Sequence, residues 1–139
     1  IMVEDNDDHA LLISRGLEAN DVQVTRYRDG LEATEAFGKV CSEEDRPDLI
    51  LLDLKLPGVD GFGILERLKK LDHFSSVPVI VLTTSNRNEE VRRAYRLGAA
   101  GFVVKSDDFQ ELTAKLKRLK DYWFHTVELA RSAPALKKG

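Results

Sequence analysis

Short apolar runs punctuate the chain, and most of them stop on a residue able to do chemistry. Ile1 to Val3 stops at Glu4-Asp5, Leu49 to Leu52 at Asp53, Val77 to Leu82 at Thr83-Thr84-Ser85, and Gly101 to Val104 at Lys105. Continuous apolar runs of this length are what strands look like when a parallel sheet is covered on both faces. Val22 to Tyr27 instead alternates apolar and polar residues, which predicts an edge strand broken by the turn residues Asp29-Gly30. Between the strands the apolar spacing turns helical. It does so at Leu12, Ile13, Gly16 and Leu17 behind the capping residues Asn6 to Asp8, and at Ala33, Ala36, Phe37 and Val40 between Leu31 and Val40. Ile64, Leu65 and Leu68 follow Gly61, and Val91, Ala94 and Tyr95 lie on a helix from Asn88 to Leu97 closed by Gly98. The last helix, capped by Asp107 or Asp108, carries Phe109, Leu112, Leu116, Leu119 and Trp123 on one face. Alternation of strand and helix with right-handed crossovers predicts an α/β fold, a doubly wound parallel sheet of about five strands.

Composition narrows the class without changing the fold. The 139 residues are those of one domain, 42% hydrophobic and 32% charged, with a net charge of -3 that gives no electrostatic reason to expect nucleic acid or an anionic membrane as a partner. The single cysteine, Cys41, has no internal partner, and no apolar run approaches a membrane span. A cytoplasmic location is therefore expected. The first run starts at Ile1 and is short, so residues upstream of it are expected in the natural chain.

Parallel strands bring their carboxyl ends to one edge, where open α/β sheets bind ligands. Glu4, Asp5, Asp53, Thr83 and Lys105 should therefore converge. Carboxylates at close range repel one another unless a cation sits between them, and hard oxygen donors with room for water favour Mg²⁺. A carboxylate can also attack a phosphoryl group, with cations neutralising the equatorial oxygens. Mg²⁺ and Lys105 suit that role, and the Thr83 hydroxyl suits a hydrogen bond to a phosphoryl oxygen.

These residues carry a resemblance to a known family. Val3-Glu4-Asp5, Leu51-Leu52-Asp53-Leu54 with Leu56-Pro57-Gly58-Val59-Asp60-Gly61, Val81-Leu82-Thr83-Thr84 and Gly98 to Lys105 occur in the order found in receiver domains of two-component response regulators. The likeness runs from Ile1 to about Leu119. It implies the flavodoxin-like strand order 2-1-3-4-5 and a phosphorelay role in which Asp53 accepts a phosphoryl group from a sensor histidine kinase. It implies a metal site made of Glu4, Asp5, Asp53 and the main-chain carbonyl of Lys55, with Lys105 on the phosphoryl group. Thr83 becomes the switch hydroxyl and Phe102 the switch aromatic. One position departs: the family usually carries proline after the lysine, where this chain has Ser106, which lacks the usual means of holding a cis peptide there.

A narrower resemblance links the charged stretch before Pro47, Leu82 to Ser85 and Tyr122-Trp123-Phe124 to single-domain regulators of bacterial phytochromes. On that likeness the last helix and the C-terminal extension form a homodimer surface, while core or tail packing explains the aromatic cluster equally well. The expected division is a receiver domain over 1–123 and an extension or tail over 124–139. Asp7, Asp8 and His9 read as capping and solvated positions, and His73 and His125 as surface residues without zinc spacing. Two rival functions are weighed. An Mg²⁺-dependent phosphatase is disfavoured because Lys55 stands where its second acid is needed, whereas a phosphorylation-independent pseudo-receiver draws support only from Ser106.

Overall fold

The computed structural model describes residues 1–18, 22–40 and 42–130, so Cys41 and residues 131–139 of the expected extension or tail lie outside the described residues. Five parallel strands form one sheet in the order β2-β1-β3-β4-β5. They are β1 (Met2–Val3), β2 (Arg26–Tyr27), β3 (Ile50–Leu52), β4 (Val79–Thr83) and β5 (Gly101–Val104). The connecting helices are α1 (Asp7–Leu17), α2 (Gly30–Gly38), α3 (Gly61–Lys70), α4 (Asn88–Arg96) and α5 (Phe109–Asp121). No helix among the described residues is long and apolar enough to cross a membrane.

The apolar runs are continuous because successive side chains enter different cores. Val3, Ile50, Leu52, Val79 and Val81 meet Phe37 of α2, Ile64, Leu65 and Leu68 of α3 and Ala94 of α4. Met2, Leu51, Ile80 and Leu82 meet Ile13 and Leu17 of α1 and Leu112, Leu116 and Leu119 of α5. A strand covered on both faces has no position left for a polar residue until it ends. Each fully buried Leu, Ile or Val contributes roughly 1.5–3 kcal/mol from apolar area removed from water, so moving one of these strands out of register is costly.

Short polar side chains set where the helices begin. Asn6, Asp29, Asp60 and Asp108 accept from otherwise unpaired amides at the starts of α1, α2, α3 and α5. Gly98, at φ 106°, supplies the left-handed turn after α4.

Three expectations change. The ladder of β2 covers only Arg26–Tyr27; upstream of it the chain keeps an isolated bridge at Val22 and the Thr25 carbonyl, which accepts from the Met2 amide at 2.8 Å. Tyr95 and Phe109 are 50% and 64% exposed rather than core. Helical spacing places them near the inner face, but at the ends of α4 and α5 no neighbouring element reaches over them. Beyond α5 the chain makes one π-helical turn, Tyr122–Thr126, which swings Trp123 and Phe124 against the α1/α5 core while Tyr122 stays half exposed.

Candidate functional site

Register builds the site. Met2 and Val3 pair with Leu51 and Leu52, so the residues that follow, Glu4 and Asp53, emerge side by side. The Asp53 amide donates to the Val3 carbonyl at 3.1 Å and the Glu4 amide to the Tyr27 carbonyl at 3.0 Å, extending the ladder to the edge of the pocket. Val104 pairs with Thr83, and the Lys105 amide then donates to the Thr83 carbonyl at 2.7 Å. Glu4, Asp53, Thr83 and Lys105 are all buried, although each carries a polar or charged side chain.

The Lys105 ammonium ties the group together. It donates to Glu4 Oε1 at 2.5 Å and to Asp53 Oδ2 at 3.1 Å, with little of the three side chains open to solvent. The other oxygen of each carboxylate is held by the main chain: Asp53 Oδ1 accepts from the Lys55 amide at 3.0 Å and Glu4 Oε2 from the Asn6 amide at 3.2 Å. Burial pushes the Glu4 carboxyl up to about 7, against the pull of Lys105 and with help from the neighbouring Asp53. Carboxylate oxygens of Glu4, Asp5 and Asp53 lie within 4.8 Å of one another, Asp5 being the exposed member. Three hard oxygen donors at this separation fit a small divalent cation that keeps some of its water.

Thr83 is wholly buried, and its Oγ1 has no hydrogen-bond partner. An unpaired buried hydroxyl is costly, and one beside a pocket built for charge is suited to a ligand oxygen. Phe102, on β5, is half-buried against the α2–α4 core. Gly61 closes the floor: a Cβ there would stand 2.5 Å from Leu54 Cα and 2.7 Å from the Asp53 carbonyl oxygen, so only glycine lets α3 approach the backbone behind Asp53. The Lys105–Ser106 bond is trans, and the Ser106 hydroxyl accepts from the Asp108 amide at 3.0 Å.

All the residues named from the strand ends are therefore brought to one edge. Two further contributors were not anticipated. His9, read as capping or solvated, is partly buried and its Nδ1 lies 3.2 Å from Lys105 Nζ. Arg26 donates from Nε to the Glu4 carbonyl and from Nη1 to Asp7, both at 2.9 Å, clamping β2 to the loop that carries the acidic pair. The sequence signal for both is weak, because neither lies at the end of an apolar run. Of the other two acids beside the pair, Asp7 faces Arg26 and Arg28, and the hydrogen bond from Arg26, then the charge of the two guanidiniums, holds its carboxyl below the usual range.

Strand order and the position of the acidic pocket define a flavodoxin-like α/β fold with its site at the carboxyl ends of the strands. The response regulator receiver domain matches residues 1–117, and the chain belongs to that family, the receiver domains of two-component systems. A protein titled "Probable methanogenesis regulatory protein FilR2", from Methanothrix harundinacea, is 35% identical over 127 residues, 88% of this chain and 81% of its own length. Response regulator Rcp1 of Synechocystis sp. is 32% identical over 133 residues, 93% of this chain and 90% of its own. The solved Mn²⁺-bound form of Rcp1 superposes with a TM-score of 0.81 at 33% identity, covering 92% of this chain and 95% of that one. The solved phosphorylated cyanobacterial phytochrome response regulator RcpA superposes with a TM-score of 0.85 at 33% identity, over 93% of this chain and 95% of that one.

Proposed function

We propose that this receiver domain accepts a phosphoryl group on Asp53 from the phosphohistidine of a sensor histidine kinase, with Mg²⁺ as its cofactor, and passes the change to a protein surface. A carboxylate oxygen of Asp53 attacks phosphorus, the phosphorus–nitrogen bond of the donor breaks, and its electron pair stays on the departing imidazole. Glu4, Asp5, Asp53 and the Lys55 carbonyl would hold Mg²⁺, which when bound supplies positive charge to the oxygens of the transferring group. Lys105, already on Asp53 Oδ2, moves its ammonium to a phosphoryl oxygen. Thr83 gains the partner its buried hydroxyl lacks, and Phe102 changes its seat between α4 and β5. Hydrolysis of the acyl phosphate resets Asp53, so turnover is confined to the protein's own modification.

The observation that carries this reading is the packing of two buried carboxylates, Glu4 and Asp53, around one buried lysine, with the Asp5 carboxylate within 4.8 Å of both and an unpaired buried hydroxyl beside them. The likeness to Rcp1 and RcpA favours a bacterial phytochrome as the kinase, and a cytoplasmic protein. A groove of roughly 560 Å³ between β5 and α5, bordered by Val103, Lys115, Leu119, Tyr122 and Trp123, suits a homodimer through the last helix and extension. Neither nucleic acid nor membrane enters this reading.

The test is intact mass after incubation with Mg²⁺ and acetyl phosphate, with size-exclusion elution read in parallel. One phosphoryl adduct is expected on the parent and none on Asp53→Asn. No adduct on the parent, from acetyl phosphate or from a phosphorylated kinase, would leave a phosphorylation-independent pseudo-receiver in its place.

A further inference from the structure

An ammonium group has three N–H donors and no acceptor. At Lys105 all three have somewhere to go: Glu4 Oε1 at 2.5 Å, Asp53 Oδ2 at 3.1 Å and His9 Nδ1 at 3.2 Å. Two of these acceptors belong to the acidic pocket. The third comes from the first turn of α1, outside the strand ends altogether. The geometry points to His9 as a positioning residue for phosphoryl transfer, one that holds the Lys105 ammonium through Nδ1 while Lys105 exchanges Asp53 for the incoming phosphoryl group. This inference rests on the reading that Asp53 is the acceptor.

Three features of the structure support it. First, the ring's origin is fixed: the His9 amide donates to the Oδ1 of Asn6, the residue capping α1, at 3.0 Å, and the carbonyl of Asn6 accepts from Ala10. Second, the imidazole borders a largely apolar groove of roughly 370 Å³ along α1 and α5, shared with Leu12, Gly16 and Phe109, while its Nδ1 edge meets the lysine. Third, burial, then the charge of Lys105, lower the His9 pKa, which outweighs the pull of Asp53, Asp8 and Asp5. A neutral imidazole has one acceptor nitrogen, and since Lys105 can only donate, that nitrogen is Nδ1 and the proton sits on Nε2.

The consequence concerns the moment of transfer. When Asp53 becomes an acyl phosphate, its charge and the acceptor at Oδ2 change, and Lys105 must find a phosphoryl oxygen. With only Glu4 behind it, the ammonium can swing about a single bond. With Glu4 and His9 together, two anchors leave its third N–H aimed at the acceptor. Positioning of this sort lowers the barrier to reaction without adding to donor binding.

His9→Leu removes the acceptor, and His9→Asn places an amide oxygen close to where Nδ1 stood. Phosphorylation by acetyl phosphate at saturating Mg²⁺ is followed by mass for both. His9→Leu is expected to lower the limiting rate about tenfold with little change in the acetyl phosphate concentration at half-maximal rate, as loss of one hydrogen bond to a charged group implies. His9→Asn should keep the rate within about twofold of the parent's if the acceptor is what matters. A Leu variant as fast as the parent, or an Asn variant as slow as the Leu variant, overturns the inference. The ¹⁵N spectrum of the imidazole gives a readout that needs no phosphorylation: Nδ1 unprotonated and hydrogen-bonded, Nε2 protonated, and the Nδ1 signal displaced in Lys105→Met. A proton on Nδ1, or a signal indifferent to Lys105→Met, overturns it even where the parent takes no phosphoryl group, whereas absence of an adduct with the expected spectrum would count against the acceptor role of Asp53 alone.

Discussion

Thr83 shows how much one atom decides. Its Oγ1 is buried without a partner, and a hydroxyl so placed costs about 1–3 kcal/mol relative to one that is hydrogen-bonded. Valine has the same shape and no hydroxyl. Thr83→Val should therefore raise unfolding stability of the unphosphorylated protein, by about 1 kcal/mol in denaturant titration, while weakening whatever response depends on the hydroxyl. A loss of stability would mean that Oγ1 is already bonded. At this scale the sequence was readable where chemistry stood at the end of a strand, because the apolar run announces both the strand and its last residue. Glu4, Asp53, Thr83 and Lys105 all met that condition. His9 and Arg26 did not. Their contacts to Lys105 and to the Glu4 carbonyl cross 96 and 22 residues of chain, and nothing local in the sequence marks them.

Among the elements, burial separates the secure from the loosely held. β3 and β4 are buried throughout, whereas α4 buries Ala94 alone and is tied to α3 partly by Arg93, whose guanidinium lies 4.2 Å over the Phe62 ring. An element with so little buried surface is one a small change at its edge can move. Helical and strand periods identified all ten elements; they misjudged Tyr95, Phe109 and the amino half of β2, because a period gives the direction of a side chain and not whether anything covers it. The two readings of the aromatic ending are separated by the structure only in part: Trp123 and Phe124 pack on the α1/α5 core, and Tyr122 does not. Arg46 further ties the extension down, donating to Ser76 Oγ at 2.5 Å and to the Ala130 carbonyl. Phe124→Ala should therefore lower the stability of the monomer itself, by about 1–2 kcal/mol for a partly buried aromatic, with the same loss at low and high protein concentration. A loss that vanishes on dilution would assign Phe124 to a contact between copies.

For the whole molecule, the buried Glu4 carboxyl is a source of instability that a bound metal would relieve. Glu4 titrates near 4.5 when unfolded and about 7 when folded, raised by desolvation. Between those values the folded protein binds more protons than the unfolded one, so stability falls as pH rises through the window, and the loss is complete once pH passes about 7. His9, whose pKa is lowered on folding, works in the opposite direction below about 6.5 and offsets part of the slope. With EDTA present, the stability of the parent relative to Glu4→Gln, each by denaturant titration, should fall from pH 5 to pH 7.5 by on the order of 2 kcal/mol, while the Ile1 ammonium, lowered by burial to about 6, and His9 work the other way in both proteins. The comparison isolates Glu4, since an amide neither titrates nor carries charge. Mg²⁺ held as proposed, by charged carboxylates of the folded state, should stabilise the protein more at pH 7.5 than at pH 5, by about 2.7 kcal/mol at a hundred times its dissociation constant. A stability difference between the two proteins that stays level across this range would remove Glu4 from the account. Mg²⁺ that stabilises equally at both pH values would separate metal binding from the acidic pocket. The fold thus holds the pocket ready at a cost in stability, and the cation that the proposed transfer needs is the one that recovers it.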